Sequence, residues 1–73
     1  MGTIRWMSAE GDTQVAFDET DTASMERARE MIERAFGEGR GVFAVDEEGV
    51  GVRLREFDPR AKEIVVIPQI KGG

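Results

Sequence analysis

Residues 63–73 read EIVVIPQIKGG, an apolar run followed by a proline, a short polar stretch and two glycines. The four consecutive apolar residues at 64–67 exceed what one buried strand face needs, and such runs are typical of a central strand covered on both faces. Pro68 has no N–H to donate, so it is expected at a sheet edge or at the end of the strand. We therefore predict a domain over residues 1–68 that ends in a central strand, followed by a flexible diglycine tail over residues 69–73.

The length and composition of the chain limit its class. A chain of 73 residues without cysteine or histidine has room for one domain with a small core, stabilised by packing, hydrogen bonds and turns. No apolar run approaches the ~20 residues of a membrane helix. The start, MGTIRWMSAEGD, has no secretory signal pattern. We expect a cytoplasmic monomer that does not bind membranes.

The charge is unevenly distributed along the chain. Residues 1–48 carry five arginines and twelve acids, whereas residues 49–73 carry five basic and three acidic residues. The formal net charge of −5 argues against a nucleic-acid partner. Because the basic part contains the diglycine, we expect it to dock on an acidic protein surface.

The first 37 residues indicate a β-hairpin followed by a helix. TIRWMSA and TQVAF both alternate apolar and polar residues around a Gly–Asp turn. In the following segment, Asp21 or Thr22 can cap a helix over residues 22–36, and Gly37 stands where a left-handed C′ residue is expected. Glu30–Arg34 and Arg29–Glu33 have the spacing of ion pairs on its exposed face. The predicted buried face consists of Met25, Ala28, Ile32, Ala35 and Phe36, with Met31 beside it.

The second half of the chain indicates another hairpin and the final strand. GVFAV and VGVRLREF flank the turn DEEG, and DPRAK forms a loop before EIVVI. The order of elements is therefore β-β-α-β-β-β, and the fold class is α+β with one helix packed across a mixed sheet of four to five strands. If the last strand lies beside the first, this arrangement is a β-grasp fold.

Several stretches of the chain resemble ubiquitin and its relatives over nearly the whole length. DTASMERAREMIE starts with the Asp–Thr that opens the ubiquitin helix, and VFAVDEEG is similar to a ubiquitin strand that reads Ile-Phe-Ala-Gly-Lys. LREFDPRAKEIVVIPQIKGG resembles the ubiquitin ending in Leu-Arg-Gly-Gly. The chain departs from the pattern at Pro68 and Gln69, where ubiquitin has leucine and arginine, and at Lys71, where it has arginine. These departures place ubiquitin's own partners in doubt and fit a prokaryotic or phage relative better.

The resemblance implies that the carboxylate of Gly73 is a substrate. An activating enzyme would adenylate it with ATP and pass the acyl group, with or without a conjugating enzyme, to amines of target proteins. Gly72 and Gly73 would form the thin end that threads the enzyme, and a protease could generate it. The chain itself would be neither an enzyme nor a cofactor-binding protein. The alternatives are a sulfur carrier that bears a C-terminal thiocarboxylate and a non-covalent interaction module such as a phage tail-assembly domain.

A mixed apolar and basic surface is the predicted partner-binding site. If Ile64 and Val66 face the helix, Val65 and Ile67 lie on the opposite face, which is the face that partners of ubiquitin recognise. Coverage of these two side chains by a second layer or by Met7 is the alternative. The predicted docking residues are Val65, Ile67, Arg53, Arg55, Lys62 and Lys71.

Two other features have simpler interpretations. Trp6 shares a strand face with Ile4, so a place in the core is favoured over an exposed binding site. The acidic runs DETD and DEE lack the spacing of a calcium loop, so we expect them to solvate turns and to bind no metal.

Overall fold

A computed structural model describes residues 1–69 of the chain, and Lys71 and the two terminal glycines lie outside this range. The described part contains one helix and five strands that form a single sheet. The elements are β1 (Gly2–Ser8), β2 (Gly11–Phe17), α1 (Thr22–Gly37), β3 (Val42–Val45), β4 (Gly51–Arg53) and β5 (Glu63–Val66).

The last strand lies in the middle of the sheet, as its apolar run predicted. The strand order is β2-β1-β5-β3-β4. β5 runs parallel to β1 and antiparallel to β3, and the two hairpins β1–β2 and β3–β4 complete the sheet on either side. A mixed sheet with the C-terminal strand beside the first strand and one helix packed on it is the β-grasp arrangement.

The helix begins where the sequence predicted. Asp21 is the N-cap, and its carboxylate accepts hydrogen bonds from the backbone N–H groups of Ala23 and Ser24 at 3.1 and 3.3 Å. The Ser24 hydroxyl accepts a hydrogen bond from the Asp18 N–H at 3.0 Å, which ties the helix start to the end of β2. Ala28, Ile32 and Ala35 are fully buried, and Met25, Met31 and Phe36 pack against them. The predicted buried face of the helix is confirmed.

The end of the helix differs from the prediction. Gly37 is the last helical residue, Glu38 is the C-cap, and the left-handed residue is Gly39 with φ +73°. The N–H groups of Glu38 and Gly39 donate to the carbonyls of Arg34 and Phe36. The helix therefore extends one residue further than predicted and the left-handed glycine lies two residues later, because these bonds satisfy the final carbonyls of the helix.

An ion pair at this end also differs from the prediction. Arg34 pairs with Glu38 at 3.0 Å, whereas the sequence predicted a pair with Glu30. The spacing of four residues is the same in both directions along the helix. The Glu38 side chain is fixed by a second arginine, Arg40, at 2.7 Å, so it is already in place to receive Arg34.

The core lies between the helix and one face of the sheet. The strands β1, β2, β3 and β5 each contribute buried residues to the core, whereas every residue of β4 is exposed. The buried apolar residues are Ile4, Phe17, Ala28, Ile32, Ala35, Val42, Ile64 and Val66. Ile64 and Val66 therefore face the helix, as predicted from the alternation in β5.

The start of β1 also packs closely against the segment that leads into β5. A Cβ atom on Gly2 would overlap the Phe17 ring and would lie 2.5 Å from the carbonyl oxygen of Ala61. The Thr3 N–H donates to the Lys62 carbonyl at 3.0 Å in the same place. Gly2 therefore allows the first strand to approach the chain segment that enters β5.

The second hairpin forms, but its outer strand is shorter than the alternation over residues 50–57 predicted. β4 covers three residues, and its pairing with β3 ends after the bond from the Leu54 N–H to the Val42 carbonyl at 2.8 Å. The turn is closed by the Asp46 carboxylate, which accepts hydrogen bonds from the N–H groups of Glu48 and Val50 at 2.9 Å. Within residues 1–69, no helix is both long and apolar enough to cross a membrane.

Candidate functional site

The end of β5 marks the place where the chain leaves the sheet. The Ile67 N–H donates to the Gly41 carbonyl at 2.9 Å, one residue beyond the strand. Pro68 follows with no N–H, so it cannot continue the ladder, and this agrees with its predicted place at the strand's end. A side chain on Gly39 would come within 3.5 Å of the Gln69 amide, so Gln69 still lies against the loop that follows the helix.

The sheet face that points away from the helix carries an apolar strip. This surface is called the back face here. Val65 is the cross-strand partner of both Arg5 and Phe43, and Phe43 is the partner of Arg53. Paired residues point to the same side of a sheet, so these four side chains share the back face. Phe43 and Val65 are half-buried and both arginines are exposed, which gives an apolar strip between two positive charges.

Ile67 joins this strip because Gly41 leaves room for it. A Cβ atom on Gly41 would lie 2.8 Å from Ile67 Cδ1 and 3.0 Å from Phe43 Cε2. Both side chains therefore close over the bare backbone of Gly41, and Ile67 is half-buried on the back face. The apolar strip is continuous from Val65 to the point where the chain leaves the sheet.

The structure brings together some of the predicted docking residues. Val65, Ile67 and Arg53 lie on the back face, as the alternation indicated. Arg55 follows the end of β4 and lines a depression with Arg29, Glu33 and Phe36 of the helix. It therefore borders the helix side, because the chain bends after Leu54.

Lys62 and Lys71 stand apart from the strip. Lys62 lies just before β5, at the opposite end of the strand from Ile67, and its ammonium pairs with Glu47. Lys71 lies outside the described residues.

Two residues of the back face were missed by sequence reasoning. Phe43 and Arg5 belong to it through the pairing register of β3 and β1 with β5. Arg5 alternates with the apolar residues Ile4 and Trp6, whereas the strand VFAV is apolar throughout and gives no alternation for Phe43. The sequence alone does not show which strands are neighbours. The strand register places Phe43 and Arg5 on one surface with Val65 and Arg53.

A cluster of charged side chains surrounds Trp6, near the loop that Ile67 contacts. The guanidinium carbons of Arg40 and Arg34 lie 4.6 and 5.8 Å from the centroid of the Trp6 ring. Glu38 accepts hydrogen bonds from both arginines, so it holds them over the ring. Trp6 is half-buried against the core, as predicted, and the cluster fixes the loop over residues 38–41 that receives Ile67.

The acidity of Glu38 reflects these contacts. The pKa of its carboxyl is lowered from the ordinary value of 4.5, first by the hydrogen bond from Arg40 and then by the one from Arg34. A pKa that is lower in the folded state adds stability above the ordinary pKa, and that stability is lost as the pH falls through the folded-state value. The cluster should therefore weaken under acidic conditions.

We expect Glu38→Gln to lower the melting temperature at pH 7 by at most a few degrees, since Arg34 is exposed and Glu38 is partly exposed, so that solvent screens their charges. The difference from the unchanged protein should shrink as the pH falls below 4.5 and through the lowered pKa of Glu38 in the folded protein. Thermal melts followed by the fluorescence of Trp6, the one tryptophan of the chain, measure both effects. Glu26→Gln on the exposed helix surface is the matched control. A difference that stays constant down to pH 3 would show that the charge on Glu38 is not what fixes the loop.

A comparison of the chain with protein-family models, with curated proteins and with solved structures finds no match. The functional inference therefore depends on the geometry of the back face and on the sequence that follows it.

Proposed function

We propose that the chain is a ubiquitin-like protein modifier whose reacting group is the carboxylate of Gly73. The observation that carries the proposal is the position of β5. This strand is the central one of the sheet, and its end carries the apolar strip of the back face. The segment that follows Pro68 therefore starts next to an apolar surface suited to a partner. The sequence Gly72–Gly73 then provides a segment without side chains, of the kind that a narrow enzyme channel can accept.

The chemistry would be supplied by partners. A carboxylate oxygen of Gly73 attacks the α-phosphorus of ATP, pyrophosphate leaves, and an acyl-adenylate results. A cysteine thiolate of the activating enzyme attacks the acyl carbon and releases AMP, which gives a thioester. An amine of the target then attacks the thioester and releases the thiol. This chain has neither cysteine nor histidine, so its own part is to be recognised and to present the carboxylate.

The back face would provide recognition. Phe43, Val65 and Ile67 offer apolar contact area, and Arg5 and Arg53 stand on either side of it. An acidic rim around an apolar pocket on the activating enzyme would complement this pattern. The charges of the rim would orient the encounter, and burial of the apolar strip would supply most of the affinity.

A sulfur carrier would use the same first step. A sulfide-level sulfur nucleophile, in place of the cysteine thiolate, would attack the acyl carbon of the adenylate and displace AMP, and the product would be a thiocarboxylate at Gly73. The mass of the product distinguishes the two outcomes, because a thiocarboxylate exchanges one oxygen for sulfur and a conjugate adds the mass of the target.

A non-covalent interaction module is the second candidate. The continuous apolar strip on the back face favours it, since such a surface binds a partner without any reaction at Gly73. In that case, binding to the partner would persist after Gly73 is removed, and it would still be lost when the strip is disrupted.

The test is ATP–pyrophosphate exchange. An adenylating enzyme of the source organism, taken first from genes beside this one, is incubated with ATP, labelled pyrophosphate and the chain ending at Gly73. The proposal predicts label in ATP only when the chain is present, because adenylate formation is reversible. Exchange that does not depend on the chain with every adenylating enzyme of that organism would refute the proposal.

We expect Ile67→Asp to weaken the interaction with the activating enzyme by about tenfold or more, the equivalent of about 1.4 kcal/mol. A charge placed within the apolar strip must be desolvated against the partner. The measurement is the KM of the chain in the exchange reaction, with thermal melts in parallel. Arg53→Glu, at an exposed position, gives a second variant that leaves the Gly41 contact untouched.

Ala23→Asp introduces the same charge at an exposed position on the helix and serves as the control. An unchanged KM in both back-face variants would exclude the back face as the docking surface. A change of similar size in the Ala23→Asp control would also exclude it, because net charge alone would then account for the effect.

A further inference from the structure

The back face contains a glycine that its backbone conformation does not require. The described glycines with a positive φ are Gly11, Gly39 and Gly49, so Gly41 has a backbone conformation that other residues can also adopt. A glycine in extended chain loses much conformational freedom on folding and has no side chain to pack. The reason for a glycine at position 41 therefore lies in what a side chain there would displace.

Two side chains of the back face occupy the space beside Gly41. The register of β3 and β5, continued by one residue, places Gly41 opposite Ile67, whose N–H donates to the Gly41 carbonyl at 2.9 Å. A Cβ atom on Gly41 would lie 2.8 and 2.9 Å from Ile67 Cδ1 and Cγ1, and 3.0 Å from Phe43 Cε2. These three nearest atoms all belong to side chains. A Cβ atom would therefore displace the two side chains and leave the backbone in place.

Two other glycines of the sheet show how Gly41 differs. A Cβ atom on Gly2 would lie 2.5 Å from the carbonyl oxygen of Ala61, which is a backbone atom, so Gly2 is needed for the fold. A Cβ atom on Gly51, on the same sheet face as Gly41, would meet Phe43 Cβ at an ordinary 3.8 Å and would displace nothing. A side chain at position 41 would change the shape of the back face without opposing the fold.

We propose that Gly41 is a positioning residue of the docking surface and that it acts through Ile67. This inference rests on the proposed docking of the activating enzyme on the back face. Because position 41 has no Cβ, Ile67 lies against the sheet beside Phe43, and the two side chains form one continuous apolar surface with Val65. A Cβ at position 41 would push Ile67 away from the sheet, where it would oppose close packing of the enzyme on Phe43 and Val65.

Gly41→Ala in the full chain tests this role by ATP–pyrophosphate exchange with the adenylating enzyme. We expect the KM of the chain to rise about fivefold or more at an unchanged kcat, because docking is weakened while Gly73 is untouched. The melting temperature should change little, since only the ends of two side chains have to move. The matched control is Gly51→Ala, which adds the same atom to the same sheet face at an ordinary contact distance and should leave the KM unchanged.

A double-mutant cycle shows whether Gly41 acts through Ile67. In Ile67→Ala, the two atoms nearest to the added Cβ are absent. Adding Gly41→Ala to this variant should therefore leave its KM unchanged, whereas independent effects would multiply the two KM ratios.

NMR of the free chain tests the same contact without an enzyme. A nuclear Overhauser effect should join the δ1 methyl of Ile67 to the α protons of Gly41, since Ile67 Cδ1 lies over this glycine. In Gly41→Ala, the resonance of this methyl should shift, because the methyl moves relative to the ring of Phe43.

An unchanged KM in Gly41→Ala, together with a raised KM in Ile67→Asp, would overturn this inference and leave the proposed function intact. Multiplied KM ratios in the double variant, an equal rise in Gly51→Ala, or a missing Overhauser effect would also overturn it. So would failure of Gly41→Ala to fold, because the glycine would then serve the fold. Absence of exchange with the unchanged chain would instead refute the proposed function, and this inference with it.

Discussion

Replacement of Ile32 by alanine is expected to lower the free energy of unfolding by about 2–5 kcal/mol, through lost burial and the cavity that remains. Ile32 is fully buried at the centre of the helix face and packs within the one core cluster of the described residues. A small domain has about 5–15 kcal/mol of stability in total, so this single change removes a large share of it. No cysteine is present to form a disulfide that would compensate.

Urea unfolding followed by circular dichroism measures the effect. The matched control is Glu26→Ala, six residues earlier in the helix at an exposed position, which should change the stability by no more than about 0.5 kcal/mol. An unaltered unfolding midpoint for Ile32→Ala would mean that the helix does not pack on the sheet through this face.

Removal of Gly73, or replacement of Gly72 by valine, is expected to abolish ATP-dependent attachment to the activating enzyme. The first change removes the residue whose carboxylate we propose to be activated and moves the new carboxylate one residue closer to the body. The second adds a β-branched side chain, which restricts the backbone and widens the segment that must enter the enzyme. Among the described residues 1–69, the buried ones all lie within residues 2–66, so both variants should fold with unchanged stability.

A thioester assay on non-reducing gels compares the three chains, with thermal melts in parallel. Loss of the thiol-sensitive product in both variants at unchanged melting temperature is the expected result. Equal product in all three chains would remove the diglycine from the mechanism, and the non-covalent module would become the better explanation of the back face.

Much of the fold could be predicted because its strongest signals are local. The 3.6-residue spacing of Ala28, Ile32 and Ala35 identifies the buried side of the helix, and Asp21 identifies its start. The uninterrupted apolar run in β5 indicates a strand with neighbours on both sides, and the sheet order confirms it. In each case, the pattern of apolar residues within one segment is sufficient to predict the structure of that segment, and no contact with a distant residue has to be known.

The details that escaped prediction depend on contacts between distant segments. The helix continues to Gly37 because the loop over residues 38–41 is held by Arg40 on the Trp6 ring. β4 ends early although its alternation continues, because no layer covers it and pairing with β3 is all that orders it. Neither the cation–aromatic contact nor the uncovered strand leaves a periodic signal in the sequence.

Only part of the candidate site could be predicted, again because some of its contacts join segments that are distant in the sequence. Alternation in β5 and β4 was enough to place Val65, Ile67 and Arg53 opposite the core. Phe43 required the register between β3 and β5, and Gly41 had meaning only after Ile67 was seen to close over it. Arg55 follows a bend, so its place could not be extrapolated from the strand before it.

Activation of the Gly73 carboxylate is tested most directly by trapping it. The chain, ATP and an adenylating enzyme are incubated with hydroxylamine, which converts an acyl-adenylate or a thioester to a stable hydroxamate. Mass spectrometry of the C-terminal peptide then locates the modification. We predict a hydroxamate at Gly73 that requires ATP and the enzyme and that is absent from the Gly72→Val variant. An unmodified C-terminal peptide with every adenylating enzyme of the source organism, or a hydroxamate on an aspartate or glutamate side chain instead, would contradict the proposed role as a modifier.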